Sequence, residues 1–425
     1  MKPINEGRGE GEVQPLLNSD YQYSKPSFRN RSKYNIIVLG LSFCILFSAF
    51  SPTQELQTTI NKNLGSDSLA VLYAFLSVTN FISPFVILKL GERLSLIVGT
   101  LTYSAYIAAN IKVTIPTLYG ASVLLGIGGA ILWTAQGSFV IQCSTESTIG
   151  ANTGLFFALF QINQIIGNLG TAALIDKAGL QNEVLFLIFL GVSLLSILGF
   201  AILGKPVKVN DKGQIVEKEN QTMSIRDRLL STIVLFKDRP IQLLVAPLLY
   251  SGISQSFFFG VFPQLLGKEW IGYVMAVFGF CDAAGSMIMG KLSDIFGRKI
   301  LVVFSTVFCI SGTVLCILLD RLVSTQSERI PYYFIVAALL GLADAGFNTQ
   351  LYALIGVIYP KKGEAAAGVF KFVQSTATAA AFVYGPYATL FDNVIIVGSL
   401  VILSCVLFMF ADNFSKRVSI DELTV

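Results

Sequence analysis

Long uncharged blocks constrain this chain more than any single motif does. Apolar residues gather in about twelve stretches of roughly 20 residues, each long enough to cross a bilayer core of about 30 Å as a helix. Only 13% of the 425 residues are charged and 53% are hydrophobic, whereas soluble domains carry about 25% charged residues. So little polar surface cannot clothe a water-soluble core of this size, and the bilayer is therefore the solvent. The 37 glycines fit the same reading, because small residues let membrane helices approach closely. The expected fold class is an all-α membrane protein of twelve transmembrane helices.

The blocks fall near 34–52, 68–88, 95–111, 117–140, 152–174 and 184–203, then near 241–262, 270–290, 300–319, 332–358, 365–390 and 394–412. This divides the chain into a disordered N-tail (1–33), a six-helix half (34–203), a polar central loop (204–240), a second six-helix half (241–412) and a C-tail (413–425). The tenth block exceeds a minimal span and is expected to tilt or project. In the central loop, Ser224 and Asp227 suit a helix start, and Ile225, Leu229, Ile233 and Phe236 would share one face. That pattern reads either as a short helix lying on the membrane surface or as an ordinary linker.

Charge sets the expected orientation. Of 30 basic residues, 23 fall in the two tails, the central loop and the alternate short loops. The opposite loops hold Lys62, Lys112, Lys177, Lys268, Arg321 and Arg329, and Lys371 lies inside a helix. The bias places both termini in the cytosol. Sequons at Asn30, Asn220 and Asn413 share that side and are expected to go unglycosylated.

Several classes of chemistry lack their residues. There is no histidine, the commonest metal ligand and usual general base. No metal site or cofactor is expected. The six cysteines lie in or at the ends of apolar blocks, where no disulfide framework would form. No Gly-x-x-x-x-Gly-Lys-Ser/Thr occurs, so ATP-driven pumping has no support. The polar start has no cleavable signal pattern. An enzyme is not expected.

The halves repeat. Leu124-Leu125-Gly126-Ile127-Gly128-Gly129-Ala130 in helix 4 echoes Leu339-Leu340-Gly341-Leu342-Ala343-Asp344-Ala345 in helix 10, and Thr153-Gly154-Leu155-Phe156 echoes Ala367-Gly368-Val369-Phe370. Between helices 8 and 9 stands Gly290-Lys291-Leu292-Ser293-Asp294-Ile295-Phe296-Gly297-Arg298-Lys299. It resembles the cytosolic-loop signature of the major facilitator superfamily, which implies two six-helix halves and a cytosolic gate. In that gate Gly290 would admit a neighbouring helix, Asp294 would face a helix N-terminus or a base, Gly297 would turn the chain, and Arg298 and Lys299 would hold the loop in the cytosol. The first-half counterpart, Lys89-Leu90-Gly91-Glu92-Arg93, keeps an acid and a base but is shorter, and is expected to lose the tight-turn spacing.

A second resemblance is narrower. The run from Gly126 through Trp133 and Gln136 to Gly137, then Gly154 to Gln161 and Gly167-Asn168, is similar to the Unc-ninety-three family, the ion-channel-regulatory branch of that superfamily. The resemblance implies twelve helices and one of two roles: presumed transporter, or regulator or trafficking chaperone of a channel or receptor.

Polar groups at bilayer depth are the site candidates, since each is costly unless paired or hydrated. Gln161, Gln164 and Asn168 share one face of helix 5, and Trp133 and Gln136 share one of helix 4. Asp344 and Asn348 lie one turn apart in helix 10, as do Lys371 and Gln374 in helix 11. Asn80, Asp282 and Glu55 complete the set, with Asp282 and Glu55 as ion or proton sites. At 1.5 Å per residue, Asp344, Asp282 and Lys371 fall at one depth, within a few ångströms. Lys371 is therefore expected either to pair with Asp344 or Asp282 or to snorkel to the cytosolic surface. The amide stripe would line a central path or glue helices together. In the N-tail, Glu12, Leu16 and Leu17 resemble an acidic dileucine signal read by vesicle-coat adaptors, which points to endolysosomal or plasma membrane. Leu423-Thr424-Val425 could add to a sheet edge of a PDZ-type domain. The expected function is secondary transport of a small solute or ion by alternating access, with the non-transporting regulator as the alternative.

Overall fold

A computed structural model describes residues 25–145, 148–176, 178–206, 234–359 and 363–423. It is an all-α membrane protein with the major facilitator architecture, twelve helices in two halves. The first half comprises α1 (Lys25–Ile60), α2 (Lys62–Thr79, continued by Ser83–Leu90), α3 (Glu92–Ala109), α4 (Ile115–Gln142), α5 (Ile149–Asp176) and α6 (Asn182–Ala201). The second comprises α7 (Arg239–Leu266), α8 (Ile271–Phe296), α9 (Arg298–Leu322), α10 (Gln326–Ile358), α11 (Gly363–Tyr384) and α12 (Leu390–Leu423).

Among the described residues, ten helices are long and apolar enough to cross a membrane, and α2 makes an eleventh as a span bent by 71°. The bend precedes Pro84, whose ring removes a backbone donor and suits the first turn of a new helix. α3 is the twelfth by order; Glu92, Arg93 and several Ser, Thr and Tyr residues dilute its 18-residue length. In α7 a π-helical turn at Phe257–Val261 precedes Pro263, where the ring takes a donor out of the regular ladder.

The duplication is visible in the packing. Within the first half α1 packs on α5 and α6, α3 on α4 and α6, and α2 on α4. Within the second, α7 packs on α11 and α12, α9 on α10 and α12, and α8 on α10. Equivalent helices choose equivalent partners in each of these pairings. The contacts repeat at residue level too: a Cβ on Gly126 would collide with the Leu72 carbonyl of α2, and one on Gly341 with the Phe278 carbonyl of α8. The halves meet along two matching seams, α5 against α8 and α2 against α11, and the second half of α1 also touches the π turn and end of α7.

Helix ends differ from expectation where local structure extends or stops them. α1 begins at Lys25, so residues 25–33 continue the first helix, where a disordered tail was expected. Adding turns to a nucleated helix costs little, and Ser32 Oγ donates to the Cys143 carbonyl at the end of α4. α12 runs on to Leu423 through residues expected as C-tail. α11 stops at Tyr384, ahead of Gly385 and Pro386, six residues before the expected end. α10 spans 33 residues, about 50 Å at 1.5 Å per residue, and so does outrun the bilayer core. The expected surface helix lies almost wholly outside the described residues; of its apolar face only Phe236 is within them.

Candidate functional site

Two carboxylates stand on the contact between α8 and α10. Gly341 permits the approach: its missing Cβ would lie 3.1 Å from the Asp282 nitrogen. Asp344 sits one turn on along the same face of α10, and each aspartate lies within the other's electrostatic reach. Asp282 is 8% exposed. Its Oδ2 accepts from Nε2 of Gln161 at 2.9 Å, a hydrogen bond from α5 of the opposite half. Asp344 Oδ1 accepts from Nδ2 of Asn348 at 2.7 Å. Among the described residues no Lys or Arg nitrogen lies within 4.0 Å of either aspartate. The Tyr250 ring of α7 stacks edge-on to Phe347 at 4.5 Å and closes this region from the side.

The expected pairing of Lys371 with Asp344 or Asp282 does not form. Lys371 is exposed, its Nζ donates to Gln374 Oε1 at 3.1 Å, and it lies over the Phe370 and Tyr352 rings at 5.4 and 5.9 Å. Tyr352 is eight residues beyond Asp344 on α10, about 12 Å along the axis. Counting residues from helix ends misjudged the level: Asp344 lies fourteen residues from the end of α10 that adjoins the start of α11, and Lys371 only eight residues from that start.

The amide stripe of α5 lies in the seam between halves. A Cβ on Gly279 would collide with the Gln164 side chain, and one on Gly272 with the Asn168 carbonyl. Asn168 Nδ2 donates to Gln164 Oε1 at 3.3 Å. Gln164 and Asn168 thus bond to each other within α5 and pack against α8, while Gln161 reaches the acidic pair. Trp133 stands in largely aromatic surroundings. Its Nε1 donates to the Tyr103 hydroxyl at 3.3 Å, and its ring sits 5.3 to 5.4 Å from Phe43, Phe47 and Phe160 in an aromatic wall joining α1, α3, α4 and α5. Gln136 is buried with no side-chain hydrogen bond among the described residues, and Asn80 stands in the break of α2 with an unpaired Nδ2. Gln374 is buried, its backbone carbonyl against Gly252 of α7. Glu55 is fully buried in α1, and neither of its oxygens accepts a hydrogen bond.

The two loop motifs make the same turn. Gly297 has φ 81° and ψ 155°, and Gly91 has φ 77° and ψ 161°. Only glycine enters this region without strain. The expected loss of the tight turn in the first half is thus corrected: the flanking residues changed, the glycine did not. Gly290 is not a point of close approach, since its nearest neighbour would be Thr349 at 4.0 Å. Arg298 Nε pairs with Asp412 Oδ1 at 2.8 Å, and Lys299 Nζ reaches Asp412 and donates to Asn413, so both bases tie α9 to α12. The Asp294 side chain lies outside the described residues, as do Glu12, Leu16 and Leu17.

Three features are missed by the sequence alone. Glu92, 8% exposed, accepts from Ser138 Oγ at 3.1 Å and from Gln142 Nε2 on α4. Asp412 is 2% exposed beneath the two bases. Asn163 is fully buried and accepts from Ser51 Oγ of α1 at 3.1 Å. Glu92 could have been found by superposing the halves on Gly91 and Gly297, which sets it opposite Arg298. Asp412 and Asn163 carried no such signal.

Known proteins give the same architecture and add a family. Two crystal structures share the fold: the nucleoside transporter NupG, at TM-score 0.66 and 12% identity over 90% of this chain and 99% of that one, and a POT family transporter in complex with 5-aminolevulinic acid, at TM-score 0.67 and 11% identity over 89% and 96%. Relatives by sequence include UNC93-like protein 3 of Arabidopsis thaliana, 29% identical over 91% of this chain and 87% of that protein. UNC93-like protein MFSD11 of Xenopus laevis is 30% identical over 85% and 92%, and Protein unc-93 homolog A of Homo sapiens 27% identical over 84% and 88%. The family described as ion channel regulatory protein UNC-93 matches residues 56–409. With that span matched from the end of α1 into α12, the chain belongs to the UNC-93 family and builds it on the major facilitator fold.

Proposed function

We propose that this protein is a secondary transporter that exposes a small solute or ion alternately to the two sides of the membrane. The observation that carries the reading is the Asp282–Asp344 pair: two carboxylates at helix mid-length, without a basic partner among the described residues, one of them bonded across the seam to Gln161. Buried carboxylates of this kind call for a cation or a proton, and rocking of one half on the other would make or break the Gln161 bond. Asn348 supplies a polar group bonded to Asp344, while Lys371 and Gln374 form a separate polar pair on α11. Gly91 and Gly297 would be the turns of a cytosolic gate. The charge bias supports cytosolic termini.

The test uses spin labels at Ile141 on α4 and Val357 on α10, both exposed and near the ends of the two corresponding helices. In lipid discs, the interlabel distance should split into two populations whose ratio changes with pH. Asp344→Asn, which mimics the neutral acid, should hold the population favoured at low pH. A single distance that ignores both pH and the substitution would sink transport by this pair.

A second reading has one specific observation behind it. An apolar groove of about 550 Å³ runs along α5, α8 and α10, lined by Ile165, Leu169, Trp270, Tyr273, Phe280 and Phe334. Regulation of an ion channel, as the family description words it, would need a membrane-embedded contact of this kind. A channel subunit co-purifying in near-equal amount from native membranes, and lost in Phe280→Ala, would favour it.

A further inference from the structure

Glu55 is a buried carboxylate out of reach of any base: among the described residues no Lys or Arg nitrogen is within 4.0 Å of it. It is 0% exposed, and both carboxylate oxygens lack a hydrogen bond. The side chain facing it is Asn168 of α5, also 0% exposed. Asn168 gives its amide to Gln164, and its own Oδ1 has no donor. Three buried oxygens, the two of Glu55 and Oδ1 of Asn168, therefore lie near one another without a hydrogen bond among the described residues.

Local backbone chemistry adds to this imbalance. Pro52 interrupts α1 three residues before Glu55. With no N–H, it cannot serve the Ser48 carbonyl as the regular donor one turn on. That carbonyl looks toward α5, where a Cβ on Gly167 would lie 2.6 Å from its oxygen. Gly272 of α8 closes the third side against the Asn168 carbonyl. Carboxylate and amide oxygens beside a backbone carbonyl freed from the helix ladder resemble the setting in which membrane proteins hold alkali ions. The charge count selects the ion class: one carboxylate balances one positive charge. Among the described residues no group of three or more His, Cys, Asp or Glu is close enough to hold a metal ion.

We propose that Glu55, Asn168 Oδ1 and the Ser48 carbonyl hold a single monovalent cation, sodium or potassium, at the junction of α1, α5 and α8. The site is separate from the Asp282–Asp344 pair, and it stands whether the protein transports or regulates. An ion there would bond α1 to α5 beside the seam with α8.

The experiment measures the thermal midpoint of the purified full-length protein in sodium, potassium or N-methyl-D-glucamine chloride at equal ionic strength and fixed pH. A saturable rise of about 5 °C in sodium or potassium is expected, because a ligand bound only by the folded state stabilises it by mass action. Glu55→Gln should abolish the rise and Asp344→Asn should keep it. Where Glu55→Gln is not monodisperse, Asn168→Ala is read instead, with at least a tenfold weaker apparent affinity expected. Equal midpoints in all three salts overturn the proposal. So does a rise that survives Glu55→Gln, a rise lost only in Asp344→Asn, or a dependence on pH alone, which would make the ligand a proton.

Discussion

The turn after α2 and the turn after α8 share a backbone conformation and differ in the residue next to the glycine. Gly91 leads into Glu92, which is bonded to Ser138 and Gln142 of α4. Gly297 leads into Arg298, which is bonded to Asp412 of α12. The first half thus anchors its turn to a helix that packs on α2 and α3, and the second to one that packs on α7 and α9. The same divergence appears at mid-depth. Trp133 stands in an aromatic wall of the first half, while its repeat counterpart, Asn348, bonds Asp344 in the second. Duplication preserved helix partners and turn geometry; polar wiring was free to change, because it rests on one or two side chains and not on the packing of whole helices.

Three pairs of substitutions can break or sharpen that contrast. The largest effect should come from the shared framework. Gly126→Leu and Gly341→Leu each drive a side chain into the backbone of a neighbouring helix, and overpacking against backbone should cost about 3 kcal/mol or more. Size-exclusion profiles should show loss of monodisperse protein in both variants alike. A variant that tolerates leucine in one half only would mean that the framework too has diverged.

Wiring comes next. Asp412→Ala leaves Arg298, with 20% of its side chain exposed, beside an empty partner site. A loss of about 2 kcal/mol is expected, below the full cost of breaking a buried pair because water reaches the arginine. Glu92→Gln keeps an acceptor for Ser138 and should cost about 1 kcal/mol. Thermal midpoints in one detergent rank the two, and equal losses would remove the distinction between the anchors. The turns themselves come last. Gly91→Ala and Gly297→Ala force a side chain into a region of positive φ that is essentially reserved for glycine, at about 1–3 kcal/mol each. The two midpoints should fall together; a drop at Gly297 alone would show that the first-half turn bears no load.

The fold was legible because block length and charge report directly on what the bilayer demands. Rotation about each helix axis was not legible, and the site depends on it. Gln164 and Asn168 read equally well as cavity lining or as glue, since lipid-facing and partner-facing surfaces are both apolar. Depth counting brought Lys371 to Asp344, but the ammonium sits over Tyr352. Trp133 was assigned to a path because its helix was; its Tyr103 bond could not be inferred from spacing. The turn at Gly91 was misread because its neighbours, Leu90 and Glu92, differ from Phe296 and Arg298, whereas positive φ requires only the glycine.

The Gln161–Asp282 bond also has an order in time. Chains are made from the N-terminus, and units generally fold as they emerge. Gln161 therefore enters the membrane before Asp282 is synthesised, held in a half whose helices already satisfy one another. When α8 arrives, its carboxylate finds a donor waiting, and the earlier half serves as a template for inserting the later one.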